Sequence, residues 1–339
     1  MISKSAIDRQ RESAITLEVG GDDDNSQIRE FLSLSHALYT ITDQAVYRVL
    51  LADDIDPDRT NPNIPNQSQK VIPFGYNDPV VAKTLLTAKY LFDKNNATAD
   101  HLLDDFFETV IDLTKHALEL QKMVAELKGE ISEKEDFIAN TKQKPNGYTV
   151  PAITDLKTKV HNILVKADKA KDAILKLYKI HFLPNEGDKP KLEKYTKALK
   201  DLSNIDDEVL KVWEEKKKFL DLIRNARNSS EHPKPNQQVL LNDFTMQSDG
   251  SVAPPLVQIE HKDTPIGLLP LVEFIEFLEK MIIDYSELSP VFIKQLLLIN
   301  SEKNPLGEWV TEFPEKERRH PHVRFYRSIN MGGTERILG

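Results

Sequence analysis

The chain has 339 residues, with 12 Gly, 40% hydrophobic and 29% charged residues, a balance that fits helix-rich globular domains and excludes collagen-like, low-complexity and disordered classes. It has no Cys, which removes disulfides, thiol nucleophiles, zinc ribbons and cysteine-held clusters. The net charge of −9 argues against a general nucleic-acid coat, although residues 141–200 hold 14 Lys against 6 Asp plus Glu and form a local basic surface.

In chain order, residues 1–25 end in Gly20-Gly21-Asp22-Asp23-Asp24-Asn25 and are expected to be a mobile leader with no secretory signal. Residues 26–97 are expected to form an N-terminal helical pair around a Pro-rich loop. The first helix runs from Ser26 to about Leu51 on the stripe Ile28, Phe31, Leu32, Leu38, Ile41 and Val49, and the loop from Asp53 to Pro79. Asp54, Asp56 and Asp58 have the alternation of a calcium loop but lack the glycine such a loop needs at its sixth position, so no metal is expected there.

Residues 98–300 show four long helical patterns. The first, capped by Thr98, places Leu102, Phe106, Val110, Leu113, Ala117, Leu120, Val124, Leu127 and Ile131 at alternating spacings of four and three, the seam of a bundle or coiled coil. The second, after Lys144-Pro145-Asn146-Gly147, carries Ile153, Leu156, Val160, Ile163, Ala167, Ala170, Ile174 and Leu177, with lysines on a solvated face. A third starts near Asn204 and stops at His232-Pro233, because the residue before proline avoids the α region. A β-hairpin is expected over 238–261 and a fourth helix from Leu268 to Leu288. Glu273, Glu276 and Glu279 interrupt the most apolar stretch, so no membrane span is expected and the chain reads as cytoplasmic. The final stretch, 301–339, is a basic-aromatic tail whose Arg319, Arg324, Phe325, Tyr326 and Arg327 offer phosphate contacts and base stacking to RNA or a partner. The alternative is a docked edge strand with Val323, Phe325 and Arg327 alternating across its faces.

Phosphate-loop, dinucleotide, zinc-protease and serine-hydrolase signatures are absent, and no cofactor is expected. One segment stands out: Arg224-Asn225-Ala226-Arg227-Asn228-Ser229-Ser230-Glu231-His232-Pro233. The spacing alone is weak, since Arg29 and His36 also satisfy a loose form of it. Its context is more specific, because Asn228 follows Arg227 directly and His232 falls where the helix must end. On a continuous helix, residues five apart point about 140° away from one another, and termination before Pro233 releases His232 toward the Arg227 side. A cation and an imidazole at one helix end suit phosphodiester chemistry, in which one group moves a proton and another stabilises negative charge. Equally, Arg227 and Glu231 form an i, i+4 pair and His232 a C-terminal cap, a purely structural helix end.

At Arg227-Asn228-Ser229-Ser230-Glu231-His232 the chain resembles the HEPN superfamily, whose members share a helical bundle and an Arg-x4–6-His motif. The resemblance implies a mainly α fold, a HEPN-like helical bundle with a small β-hairpin insertion. It also implies a metal-independent endoribonuclease, a toxin or defence effector that works as a homodimer on RNA and answers to an antitoxin or other protein partner. His232 would be the general base, Arg227 the clamp on the transition state, and Asn228 the polar neighbour of that Arg, with Arg224 as an RNA contact. The other reading is a non-catalytic HEPN-like module in which the seam from Leu102 to Ile131 binds a partner.

Overall fold

The computed structural model describes residues 26–92, 100–141, 147–183, 185–187, 191–201, 207–287, 309–331 and 334–337, with Ile7 and Val19. Most of the expected leader, the Thr98 cap, the onset of the third helix near Asn204 and the end of the fourth at Leu288 lie outside the described residues. The chain forms two compact units, residues 1–107 with 300–339, and residues 108–299. Of the described residues about 52% are helical and 21% are in strands, which form four small antiparallel sheets. The chain is therefore a mixed α and β protein, which corrects the expectation of a mainly α bundle.

The first unit accounts for much of that correction. The helix expected from Ser26 is three strands, β1 (Ile28–Ser33), β2 (Leu38–Thr42) and β3 (Val46–Leu50). Short α1 (Ala52–Ile55) and β4 (Gln67–Ile72) follow within the stretch read as a loop, completing a sheet of order β1-β2-β3-β4. β-Branched and aromatic residues, Tyr39-Thr40-Ile41-Thr42 and Val46-Tyr47-Arg48-Val49, favour the pleated form over the helix. Asp54 accepts from the Leu51 N–H, Asp56 from the Thr60 and Asn61 N–H groups, and Asp53 pairs with Arg59 at 2.8 Å, so these carboxylates turn the chain. The β2–β3 turn is closed by the Thr42 N–H to Ala45 carbonyl bond and is covered by Gly75. A Cβ there would sit 2.3 Å from the Thr42 carbonyl oxygen, so only glycine fits. Asp78 then caps α2 (Pro79–Val81) by accepting from the Val80 and Val81 N–H groups, and a π-helical turn, Ala82–Leu86, leads into α3 (Thr87–Leu91). Of the expected helical pair, only this second member is present.

The second unit is helical as its periodicity requires. α4 (Asp100–Asn140) enters it from the first unit, followed by α5 (Leu156–Phe182), α6 (Leu192–Lys200) and α7 (Asp207–Glu231). The seam from Phe106 to Ile131 is buried at every four-three position, and so is the α5 stripe from Ile153 to Leu177. Because the seam lies in the chain's own core, it is not open to a partner, contrary to the expectation for the interaction module. The hairpin over 238–261 is present but larger than expected. β5 (Gln238–Asn242) pairs with β8 (Leu256–Glu260), β6 (Thr245–Met246) with β7 (Val252–Ala253), and β9 (Ile266–Pro270) adds a third strand in the order β5-β8-β9. β9 takes the residues expected to open the fourth helix, so α8 (Leu271–Ser286) begins after Pro270 and buries Leu271, Ile275, Leu278 and Ile282.

The expected basic-aromatic tail is likewise folded. β10 (Trp309–Glu312), β11 (Phe325–Met331) and β12 (Thr334–Ile337) form an antiparallel sheet in the first unit, with β11 central rather than at an edge. Tyr326 is fully buried, stacked on Tyr90 with ring centroids 5.5 Å apart. Among the described residues, no helix is long and apolar enough to cross a membrane.

Candidate active site at the end of α7

Asp207 and Glu208 oppose the positive end of α7, and Val209, Trp213, Leu220 and Ile223 anchor it in the core. The helical bonding continues through the His232 N–H to the Asn228 carbonyl, at 2.8 Å, and then stops at Pro233. Lys234 and Gln237 exchange backbone hydrogen bonds around Asn236, which adopts φ 61°, and this turn leads into β5.

At this helix end the Arg227 Nη2 stands 2.7 Å from Glu231 Oε2, and its Nη1 donates to Asn228 Oδ1 at 3.1 Å. His232 Nε2 lies 3.5 Å from the same Glu231 Oε2. His232 is exposed and Arg227 half-buried, so both are reachable from solvent. The two expected catalytic side chains therefore meet at one carboxylate rather than touching each other directly. Two further contacts hold the helix end: His161 Nδ1 on α5 with Ser230 Oγ at 3.0 Å, and buried Asn225 donating to Thr264 Oγ1 in the β8–β9 loop at 3.2 Å. Sequence reading missed both, because each partner lies far away along the chain.

The remaining candidates are scattered. Arg224 is exposed, paired with Asp221 at 2.7 Å. Phe325 and Tyr326 are buried, so neither face is open to a base, which corrects their reading as stacking contacts. Arg324 pairs with Glu312 at 2.8 Å and packs over the Phe325 ring. Arg319 is exposed, and Arg327 half-buried on β11. These tail residues belong to the first unit and the α7 motif to the second.

A feature that sequence reading did not find lies in the core. Lys216 interrupts the apolar face of α7 and is buried, with its ammonium donating to Tyr178 Oη at 3.0 Å and 5.0 Å from the Tyr285 ring centre. Burial pushes its pKa down to about 8, against the opposing pull of Glu287. Among the described residues, no group of three or more His, Asp or Glu side chains is arranged to hold a metal ion. In comparisons with known proteins, no family model, no curated protein and no solved structure matches the chain.

Proposed function

We propose that the chain is a metal-independent endoribonuclease of the HEPN type, a toxin or defence effector acting in the cytoplasm as a homodimer. The observation that supports this reading is the convergence of Arg227 and His232 on one anion. The Glu231 carboxylate lies 2.7 Å from the guanidinium and 3.5 Å from the imidazole, so a phosphate oxygen in its place would meet a fixed cation and a proton acceptor together.

In this mechanism His232 takes the proton of a ribose 2′-hydroxyl. The 2′-oxygen then bonds to the adjacent phosphorus as the bond to the 5′-oxygen breaks. Arg227 braces the equatorial oxygens with its fork of donors, and the Asn228 side chain holds that fork in place. The departing 5′-oxygen needs a proton, which the motif of a second copy supplies in a two-fold dimer. The products are a 2′,3′-cyclic phosphate and a 5′-hydroxyl.

The Arg227–Glu231 ion pair also favours a second reading, a non-catalytic HEPN-like module in which the pair only ties down the helix end. Cleavage assays with the purified full chain separate the two. The enzyme cleaves RNA but not DNA, in EDTA, loses activity in His232→Ala with the fold intact, and keeps or gains activity in Glu231→Gln, which frees Arg227. A chain that leaves RNA intact in both wild-type and Glu231→Gln forms is the module. A solution mass matching a single 38.7 kDa chain counts against the dimer.

A further inference from the structure

A cavity of about 470 Å³ lies in the second unit where α4, α5, α6 and α7 meet, away from Arg227 and His232. Its volume is that of a small-molecule site, roughly 300–1,000 Å³. One wall is apolar, made by Leu175, Leu192, Tyr195 and Leu220. Tyr195 is buried and donates its hydroxyl to the Leu175 carbonyl at 3.1 Å, so its ring is fixed in place.

The lining is also cationic. Lys171 is neutralised by Asp168 and Asp172, and Arg224 by Asp221. Lys169, Lys176 and Lys191 also line the cavity, are exposed, and make no ion pair among the described residues. Lys191 is the N-cap of α6, where no side chain caps the helix, so the positive end of the α6 dipole faces the same space. His116, from α4, contributes a buried Nδ1 with no hydrogen-bond partner. Its pKa is held below the usual imidazole value first by burial and then by Lys166 and Lys169. Lys166 is itself lowered by burial and by Lys169. Burial is the first cause at both bases, and Lys169 lowers both, although Lys166 is paired with Glu119 and Asp112 opposes the lysines at His116.

We propose that this cavity binds a small phosphorylated molecule, with the phosphate among Lys169, Lys176 and Lys191 and the organic portion against Leu192 and Tyr195. Separate ammonium groups around an uncapped helix start suit a compact, doubly charged tetrahedral anion better than the planar fork geometry a carboxylate favours. The apolar wall distinguishes a ligand with a ring or carbon skeleton from a backbone phosphate of RNA, which has no use for a greasy recess. Asp112, 3.7 Å from Lys115, and Asp172, paired with Lys171, add carboxylate oxygens to the lining that can accept from ligand hydroxyls.

Titration calorimetry on the full chain with phenyl phosphate tests the assignment. One saturable site per chain is expected, with inorganic phosphate binding at least about tenfold more weakly because it leaves the apolar wall unfilled. Lys169→Gln combined with Lys176→Gln should weaken phenyl phosphate by at least about tenfold at an unchanged Tm, since both side chains are exposed. Binding of the anion should favour a charged His116, so His116→Gln should change the buffer dependence of the apparent enthalpy from that of the wild-type chain, the remainder coming from the second ionisation of the phosphate itself. The absence of saturable binding up to about 10 mM, roughly a 3 kcal/mol interaction, overturns the proposal. Undiminished binding in the double variant, or displacement of phenyl phosphate by a short oligoribonucleotide, overturns it equally, the latter by showing an RNA track instead.

Discussion

The charge on Lys216 costs stability in a way that pH exposes. Its side chain is 4% exposed, its ammonium donates to Tyr178 and packs over Tyr285, and its pKa falls from 10.5 to about 8 through burial. That difference corresponds to about 3 kcal/mol against the charged form in the folded state. Since the folded value lies below the unfolded one, the unfolded chain binds the extra proton between about pH 8 and 10.5, and stability rises with pH across that window. Below about pH 8 both states are protonated, and the cost is constant. Lys216→Met removes this titration while filling the same volume. From about pH 7 to about pH 9 the wild-type chain should gain about 1 kcal/mol relative to the variant. Tyrosine ionisation is minor at these pH values and largely common to both proteins. Urea unfolding followed by tryptophan fluorescence is the natural assay, because buried Trp213 lies 5.7 Å from Tyr178. The offset between the proteins at one pH is not diagnostic, since the variant also removes a positive charge that interacts with Glu287. The pH dependence of the offset is diagnostic, and parallel curves from pH 7 to 9 would refute the burial of a charged Lys216.

Three further outcomes are expected. Gly75→Ala should destabilise the first unit by about 1–3 kcal/mol, because its methyl group meets the backbone of the β2–β3 turn; an unchanged Tm would show that the turn yields. Tyr326→Ala should cost about 3–5 kcal/mol in denaturant unfolding, since it empties a fully buried site between Tyr90 and Phe313; a loss below about 1 kcal/mol would place residues 309–337 outside the core. Arg227→Lys should keep the charge but lose the fork of donors, lowering RNA cleavage by at least about tenfold with the melting temperature nearly unchanged; full activity would mean that charge alone suffices.

The helices of the second unit were legible because each buries one stripe. Phe106, Val110, Leu113 and Ala117 repeat at four and three, the contact spacing of a helix packed on one side, and all four are buried. The sheet of the first unit was not legible in that way. β2 is buried along nearly its whole length, from Tyr39 to Thr42, so the alternation that marks a half-exposed strand is missing. Its scattered apolar positions then fit a helical stripe by default. Composition held the better signal, in the density of Tyr, Thr, Val and Ile on either side of Asp43-Gln44. The tail misled for a different reason. Its core partners are remote, with Tyr76 reaching the Arg319 carbonyl 243 residues away, and an Arg-rich stretch with Phe and Tyr looks the same whether its rings are buried or free.

The motif and the cavity differ in legibility for the same kind of reason. Arg227, Asn228, Glu231 and His232 lie within two turns of α7, so their meeting follows from helix geometry and from the stop at Pro233. The cavity draws His116 from α4, Lys169 and Lys176 from α5, Lys191 from α6 and Arg224 from α7, and no spacing along the chain encodes that meeting. Of the α5 lysines read as a solvated face, Lys157, Lys169 and Lys176 are exposed, but Lys171 is buried between Asp168 and Asp172. α7 carries both features, with Arg224 some 10 Å along the axis from Glu231 at 1.5 Å per residue. Each of its two arginines is held by a carboxylate on its own helix, Arg224 by Asp221 and Arg227 by Glu231. An anion arriving at either place competes with a local ion pair rather than filling an empty charge, and pairs that are exposed or half-open to solvent, as these are, contribute little, about 0–1 kcal/mol. Exchange of the carboxylate for a phosphate is therefore cheap at both ends of this stretch. Neutralising Glu231 or Asp221 should accordingly strengthen anion binding locally, each at its own site and without effect at the other.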